Sequence, residues 1–159
     1  MRQALNKQIQ EEFYSAYLYL GMSAYYELKG MRGFASWLKL QHDEEAGHAM
    51  KIYHYLAEQG AKIELLTIEK PSFKEGTNLE IFEQILNHEK HITGCIHKLV
   101  GMALEEKDYA SHTFLQWFVM EQVEEEAHAG EIVDKLRMIQ EQPGALFMMD
   151  SFLGKRGKE

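Results

Sequence analysis

Gly60-Ala61-Lys62-Ile63-Glu64-Leu65-Leu66-Thr67-Ile68-Glu69-Lys70-Pro71-Ser72-Phe73-Lys74-Glu75-Gly76-Thr77 is the stretch that decides the fold. It has little helical periodicity and contains Pro71, and it closes on Thr77-Asn78-Leu79-Glu80, a capping box that satisfies free N–H groups at a helix start. On either side the chain is helical by pattern, with helices expected at about 3–29, 32–59, 77–106 and 109–141. Gly30 and Gly60 stop the first two, and Asp108 reads as an N-cap for the fourth. The short connections near Gly30 and Asp108 make each flanking pair antiparallel. The connection at about 60–76 is long enough to run the length of a helix, and structureless loops of that size are uncommon unless they have a task. Here the task is to cross the bundle from end to end. The expected fold is therefore all-α, a four-helix bundle with one long crossover. Pro143-Gly144 breaks the last long helix, and a short fifth is expected at 144–153 before a polar tail.

The chain has 159 residues, which suits one domain with a sizeable core. Hydrophobic content is 45% and charged content 26%, ordinary values for a globular protein. A net charge of -8 and the absence of Lys/Arg runs argue against nucleic acid. Cys95 is the one cysteine, so no intrachain disulfide or CxxC site is expected, and Cys95 reads as a small buried hydrophobe in a reducing cytosol. No signal-peptide stretch opens the chain, and no run of about 18 apolar residues occurs. A soluble, cytoplasmic protein with no membrane segment is expected.

Each long helix carries an apolar stripe at three- and four-residue steps. The first reads Leu5, Ile9, Glu12, Ala16, Tyr19; the second Phe34, Leu38, Gln41, Glu45, His48, Ile52. The third reads Phe82, Ile85, Glu89, Ile92, Ile96, Leu99; the fourth Phe114, Phe118, Glu121, Glu125, His128, Ile132. Every stripe is interrupted by a carboxylate. A buried unpaired carboxylate is costly, and several in one core repel one another. A multivalent cation removes both problems by supplying positive charge and using the carboxylates as ligands. Glu45-Ala46-Gly47-His48 and Glu125-Glu126-Ala127-His128 are both Glu-x-x-His, with the two donors of each on one side of a helix. With Glu12 and Glu89 they match the donor set of di-iron and di-manganese carboxylate bundles. Carboxylate and imidazole without thiolate favour iron or manganese over copper(I) or structural zinc.

The remaining histidines, His42, His54, His88, His91, His97 and His112, fall off these stripes and read as surface or rim. Tyr19 lies on the inner stripe two turns from Glu12, where it either packs or serves the site as a hydrogen-bond or electron donor. The acidic clusters around Glu44 and around Glu124 are either solvated faces or, with Glu121, an outer cation site beside the pair.

Over essentially its whole length the sequence resembles the non-haem ferritins of bacteria and archaea. The segments that carry the resemblance are Leu5-Asn6-Lys7-Gln8-Ile9, Tyr14-Ser15-Ala16-Tyr17-Leu18-Tyr19-Leu20, His88-Glu89-Lys90-His91-Ile92-Thr93 and Phe114-Leu115-Gln116-Trp117-Phe118-Val119-Met120-Glu121-Gln122-Val123-Glu124-Glu125-Glu126. The resemblance implies a ferritin-like fold and places Glu12, Glu45 and His48 around one iron. It places Glu89 and Glu125 around a second, with Glu45 bridging and Gln122 nearby. Glu44, Glu121 and Glu124 match residues used for a third iron. The short fifth helix matches the segment that packs about the fourfold axis of a 24-subunit shell. His128 departs from the subgroup and resembles bacterioferritins at that position, where it would complete a symmetric site. A haem is not expected, because Ala46 stands where the haem-ligating methionine would follow the metal Glu.

The function implied is ferroxidation and iron storage. Two Fe(II) ions bound at the carboxylate pair give electrons to dioxygen or hydrogen peroxide, and the ferric product is stored as mineral in a homo-oligomeric shell. Glu45 and Glu125 are expected to bridge, Glu12 and Glu89 to bind terminally, and His48 and His128 to supply nitrogen. The alternatives are a di-iron peroxidase or oxygenase with a stable cofactor centre, and a shell subunit without its own oxidation site.

Overall fold

A computed structural model describes residues 1–157. Five helices are present: α1 Arg2–Leu28, α2 Arg32–Glu58, α3 Asn78–Glu105, α4 Tyr109–Ile139 and α5 Pro143–Leu153. No strand occurs among the described residues. The chain divides into two compact units, one holding α3 and α4 with Met1–Leu5, the other holding Asn6–Phe73 and Glu141 onward.

In the unit that contains α1, α2 and α5, the contacts give the direction of the first pair. Tyr26 stacks on Phe34, with ring centroids 4.9 Å apart. Ser23 Oγ donates to the carbonyl of Ala35 at 2.8 Å, and His42 Nδ1 lies 2.9 Å from the carbonyl of Ala16. As the α1 number falls the α2 number rises, so the helices are antiparallel, as the short turn at Gly30 requires. That turn is a Schellman motif: Gly30 N–H donates to Glu27 O and Met31 N–H to Tyr26 O, with Gly30 at φ 73°. Gly60 closes α2 in the same way at φ 59°.

The crossover keeps to α1. Asn6 Nδ2 donates to Lys62 O at 3.1 Å while its Oδ1 accepts Glu64 N–H at 2.8 Å. Gln10 donates to Thr67 O, and the Phe73 ring meets Tyr25 edge-on at 5.7 Å. From Asn6 to Tyr25 is roughly 28 Å of helix at 1.5 Å per residue, so the segment runs nearly the whole helix. Without a ladder of their own, its backbone groups find partners in α1 side chains.

The α3–α4 unit is a second antiparallel pair. Arg137 reaches Glu83 at 3.0 Å near one end, and Thr93 Oγ1 donates to Glu126 Oε1 at 2.6 Å further along. Thr77 caps α3: its Oγ1 accepts Glu80 N–H at 3.2 Å, and Glu80 Oε2 accepts Thr77 N–H at 2.8 Å. Asp108 caps α4 by accepting Ser111 N–H at 3.0 Å.

Helix ends lie within two residues of expectation, and the departures at the end of α4 and the start of α5 have a local cause. α4 ends at Ile139 because Gln140 and Glu141 take left-handed backbone, φ 48° and 57°. Pro143 does not break a helix; it starts α5 as a first-turn residue, where the missing N–H costs nothing. Cys95, expected in the core, is half-buried.

Candidate metal centre

The apolar stripes of α1, α2 and α3 are buried at every expected position, carboxylates included. On α2 the face steps through Gln41, Glu45, His48, Ala49 and Ile52. Glu12 and Glu45 are each only 1% exposed, and His48 is 6% exposed. The antiparallel register that pairs Ala16 with His42 brings Glu12 level with Glu45 and His48. Glu12, Glu45 and His48 each offer one donor atom, all within 4.8 Å of one another. His48 Nδ1 lies 3.3 Å from Glu45 Oε2.

The electrostatics of this trio are those of a site short of positive charge. Burial pushes the Glu12 carboxyl well above the usual carboxylate range, and the neighbouring Glu45 charge pushes it the same way. Gln8 opposes the shift by donating from Nε2 to Glu12 Oε1 at 2.9 Å, and His48 opposes it too. Glu12 Oε2 is buried and accepts no hydrogen bond from the described residues. Two carboxylates and an imidazole within 4.8 Å make a donor set that fits iron or manganese. A cation there would remove the repulsion between the two acids.

In the α3–α4 unit Glu89 is 1% exposed, and Gln122 and Glu125 are each 4% exposed. Gln122 Nε2 donates to Glu89 O at 3.2 Å and to Glu89 Oε2 at 3.3 Å, and reaches Thr93 Oγ1 at 3.3 Å. The amide N–H of Gln122 thus orients the Glu89 carboxylate, and Thr93 ties the same region to Glu126.

The fourth stripe needs correction. Its buried face runs Leu115, Phe118, Gln122, Glu125, Ala129, Ile132 and Val133. Phe114 and Glu121 are half-buried, and Glu124 and His128 are exposed. After Glu125 the buried face advances by four residues, to Ala129, which turns His128 outward. His128 instead weighs on the exposed Glu131 carboxyl, which Lys135 chiefly holds low. His128 is therefore exposed, where its place on the stripe led us to expect it buried. His48 has the same spacing from its Glu, yet stays buried beside Ala49.

Tyr19 is fully buried on the α1 stripe. Glu44 is exposed, and its Oε2 is 2.6 Å from Arg156 Nη2. The histidines expected at surface or rim are half-buried or exposed. Gln8 and Thr93 were not singled out from sequence as site residues. For Gln8 the signal was present, because it stands four residues before Glu12 on the same face.

The family model described as "Ferritin-like domain" matches residues 2–139. A bacterial non-heme ferritin of Bacteroides fragilis is 42% identical over 98% of this chain and 97% of its own length. A probable bacterial non-heme ferritin-like protein of Haemophilus influenzae is 43% identical over 94% of this chain and 91% of its own. Among solved structures, an open pore ferritin from Archaeoglobus fulgidus superposes with a TM-score of 0.96 at 46% identity, covering 98% of this chain and 94% of that one.

Proposed function

The chain belongs to the ferritin family, and from that premise we propose that it oxidises Fe(II) and stores the ferric product as an oxyhydroxide mineral inside a hollow homo-oligomeric shell. The observation that carries this reading is the buried trio Glu12, Glu45 and His48, with donor atoms inside 4.8 Å. Fe(II) is the substrate. It enters a place where two buried acids already repel each other, so its binding relieves a cost instead of adding one. Glu12 and Glu45 change coordination as the metal charge rises, and His48 supplies the nitrogen donor. Glu89 and Glu125 serve a second Fe(II), with Glu45 and Glu125 bridging and Gln122 holding the Glu89 carboxylate in position. Two Fe(II) ions each give one electron, which together reduce dioxygen or hydrogen peroxide. Tyr19, fully buried two turns along α1, lines the core beside the site, where it packs or serves the site as a hydrogen-bond donor.

Glu44, Glu121 and Glu124 form an outer acidic set that receives iron on its way to or from the pair. The 24-subunit shell, the single ferritin-like domain over 1–159 and the cytoplasmic location follow from the same family reading. No helix among the described residues is long and apolar enough to cross a membrane.

The test is a stopped-flow comparison of wild type with Glu45→Ala. Fast Fe(II) oxidation on mixing with oxygen should fall by at least about 100-fold, the scale expected when a catalytic metal site loses its ligand. The helical circular dichroism signal should stay unchanged. Equal oxidation rates in the two proteins would remove the site from the reaction.

A further inference from the structure

α5 and the residues that follow it lie against α2. Asp150 Oδ1 accepts the N–H groups of Gly33 and Phe34 at 2.8 and 3.0 Å, two donors that the first turn of α2 leaves free. A Cβ on Gly33 would sit 1.7 Å from the carbonyl oxygen of Asp150, so only glycine allows this approach. After Leu153 the chain brings Arg156 to the same helix. Its guanidinium carbon lies 4.9 Å from the centroid of the Trp37 indole. Nη1 donates to the amide oxygen of the buried Gln41, and Nη2 lies 2.6 Å from Glu44 Oε2.

Trp37, Gln41 and Glu44 occupy one face of α2 at steps of four and three. An exposed ion pair on its own is weak and easily solvated. This one is different, because stacking and a hydrogen bond to a buried amide fix the guanidinium before it meets the carboxylate. Glu44 and Glu45 are adjacent in sequence and face different company. Glu45 joins Glu12 and His48, whereas Glu44 already has a positive charge supplied by its own chain.

We propose that Arg156 is a resident counter-ion of Glu44 that a multivalent cation must displace, so that cation binding at Glu44 opposes docking of the C-terminal tail on α2. The proposal rests on the reading of Glu44 as a cation-binding residue of the outer acidic set. A cation approaching Glu44 meets a carboxylate whose charge is already neutralised and a guanidinium that repels it. Cations therefore bind Glu44 less tightly than a bare acidic helix face would allow, which suits a position that passes iron on. Linkage makes the effect mutual: whatever Arg156 costs the cation, the cation costs the tail.

The test uses terbium(III) alone on the apo protein, read by tryptophan-sensitised luminescence, in wild type and in R156Q, R156K, E44Q and E44Q/R156Q. In R156Q the Glu44-dependent component should bind roughly tenfold more tightly, within the range typical of coupled sites. R156K keeps the charge but loses the fork that Trp37 and Gln41 hold, so it should fall between wild type and R156Q, and E44Q should remove the component with or without R156Q. In parallel, terbium should speed trypsin cleavage at Lys155 and Arg156 in wild type and not in E44Q, an arm that needs no arginine variant to fold. Superimposed isotherms for wild type and R156Q would overturn the proposal. So would a tightened component in R156Q that E44Q leaves in place, since that component would not include Glu44. The inner centre is checked separately by E45A: a lost inner component with no effect of R156Q condemns the counter-ion alone. An unchanged inner component in E45A condemns the reading of the centre.

Discussion

At Glu12 the chain holds a carboxylate where burial and a second acid both oppose its charge. Such a group serves ligand binding at the expense of stability, and substitution can separate the two. Glu12→Gln keeps an oxygen for Gln8 and turns an amide N–H toward Glu45. It should raise the thermal stability of the metal-free protein, by about 1–3 kcal/mol on the scale of an unsatisfied buried polar atom, while weakening metal binding. Paired melting curves with and without Zn(II) check this: a variant less stable than wild type without metal would contradict it. The two Glu-x-x-His motifs show how far residues could be read from sequence. Glu45, His48 and Glu125 are buried as expected, but His128 is not, although its local sequence pattern equals that of His48. Residues three apart differ by about 60° around a helix, so the second member of such a pair sits at the edge of the buried face. Which side of the edge it takes depends on what packs there. For His48 the stripe continues through Ala49, and for His128 it passes to Ala129. The role of Gln122 as holder of Glu89 was likewise hidden, because it depends on the register between α3 and α4.

Helix ends carry the legible part of the elements and also the misread one. The Thr77–Glu80 capping box was plain in the sequence, and both of its hydrogen bonds are made. Thr77→Ala should cost about 1 kcal/mol in denaturant unfolding, and no loss would mean that the crossover alone fixes the start of α3. Hydrogen bonds from backbone N–H groups hold two capping carboxyls, Glu80 and Asp108, below the usual range. A depressed carboxyl stabilises the folded state above its unfolded pKa and loses that contribution as pH falls through the folded value. The stability gap between wild type and Asp108→Ala should therefore be full above about pH 5, past the ordinary aspartate range, and shrink as pH falls below that range. A pH-independent gap would assign the cap to geometry alone. Lys107 takes φ 55° at the end of α3, where Gly30 and Gly60 close the two earlier helices. Lys107→Gly should stabilise by up to about 1 kcal/mol, since only glycine takes that backbone without strain. The end of α4 was missed for the same reason: Gln140 and Glu141 turn left-handed with no glycine to announce it, and Pro143 is compatible with both a stop and a start.

Over the whole chain, topology was readable because loop lengths leave few choices. The short turns compel antiparallel neighbours, and the long segment finds its partners along α1 at Asn6, Gln10 and Tyr25. Assembly, the oxidant and the fate of the iron belong to surfaces and kinetics that periodicity does not encode. The most direct test of the account is anaerobic loading of the metal-free protein with Fe(II), followed by oxygen, measuring iron per chain and particle mass together. The account predicts rapid oxidation followed by uptake of many irons per chain into a large particle whose protein mass does not change. Two tightly held irons per chain with no further uptake would contradict storage and would make the centre a fixed catalytic cofactor.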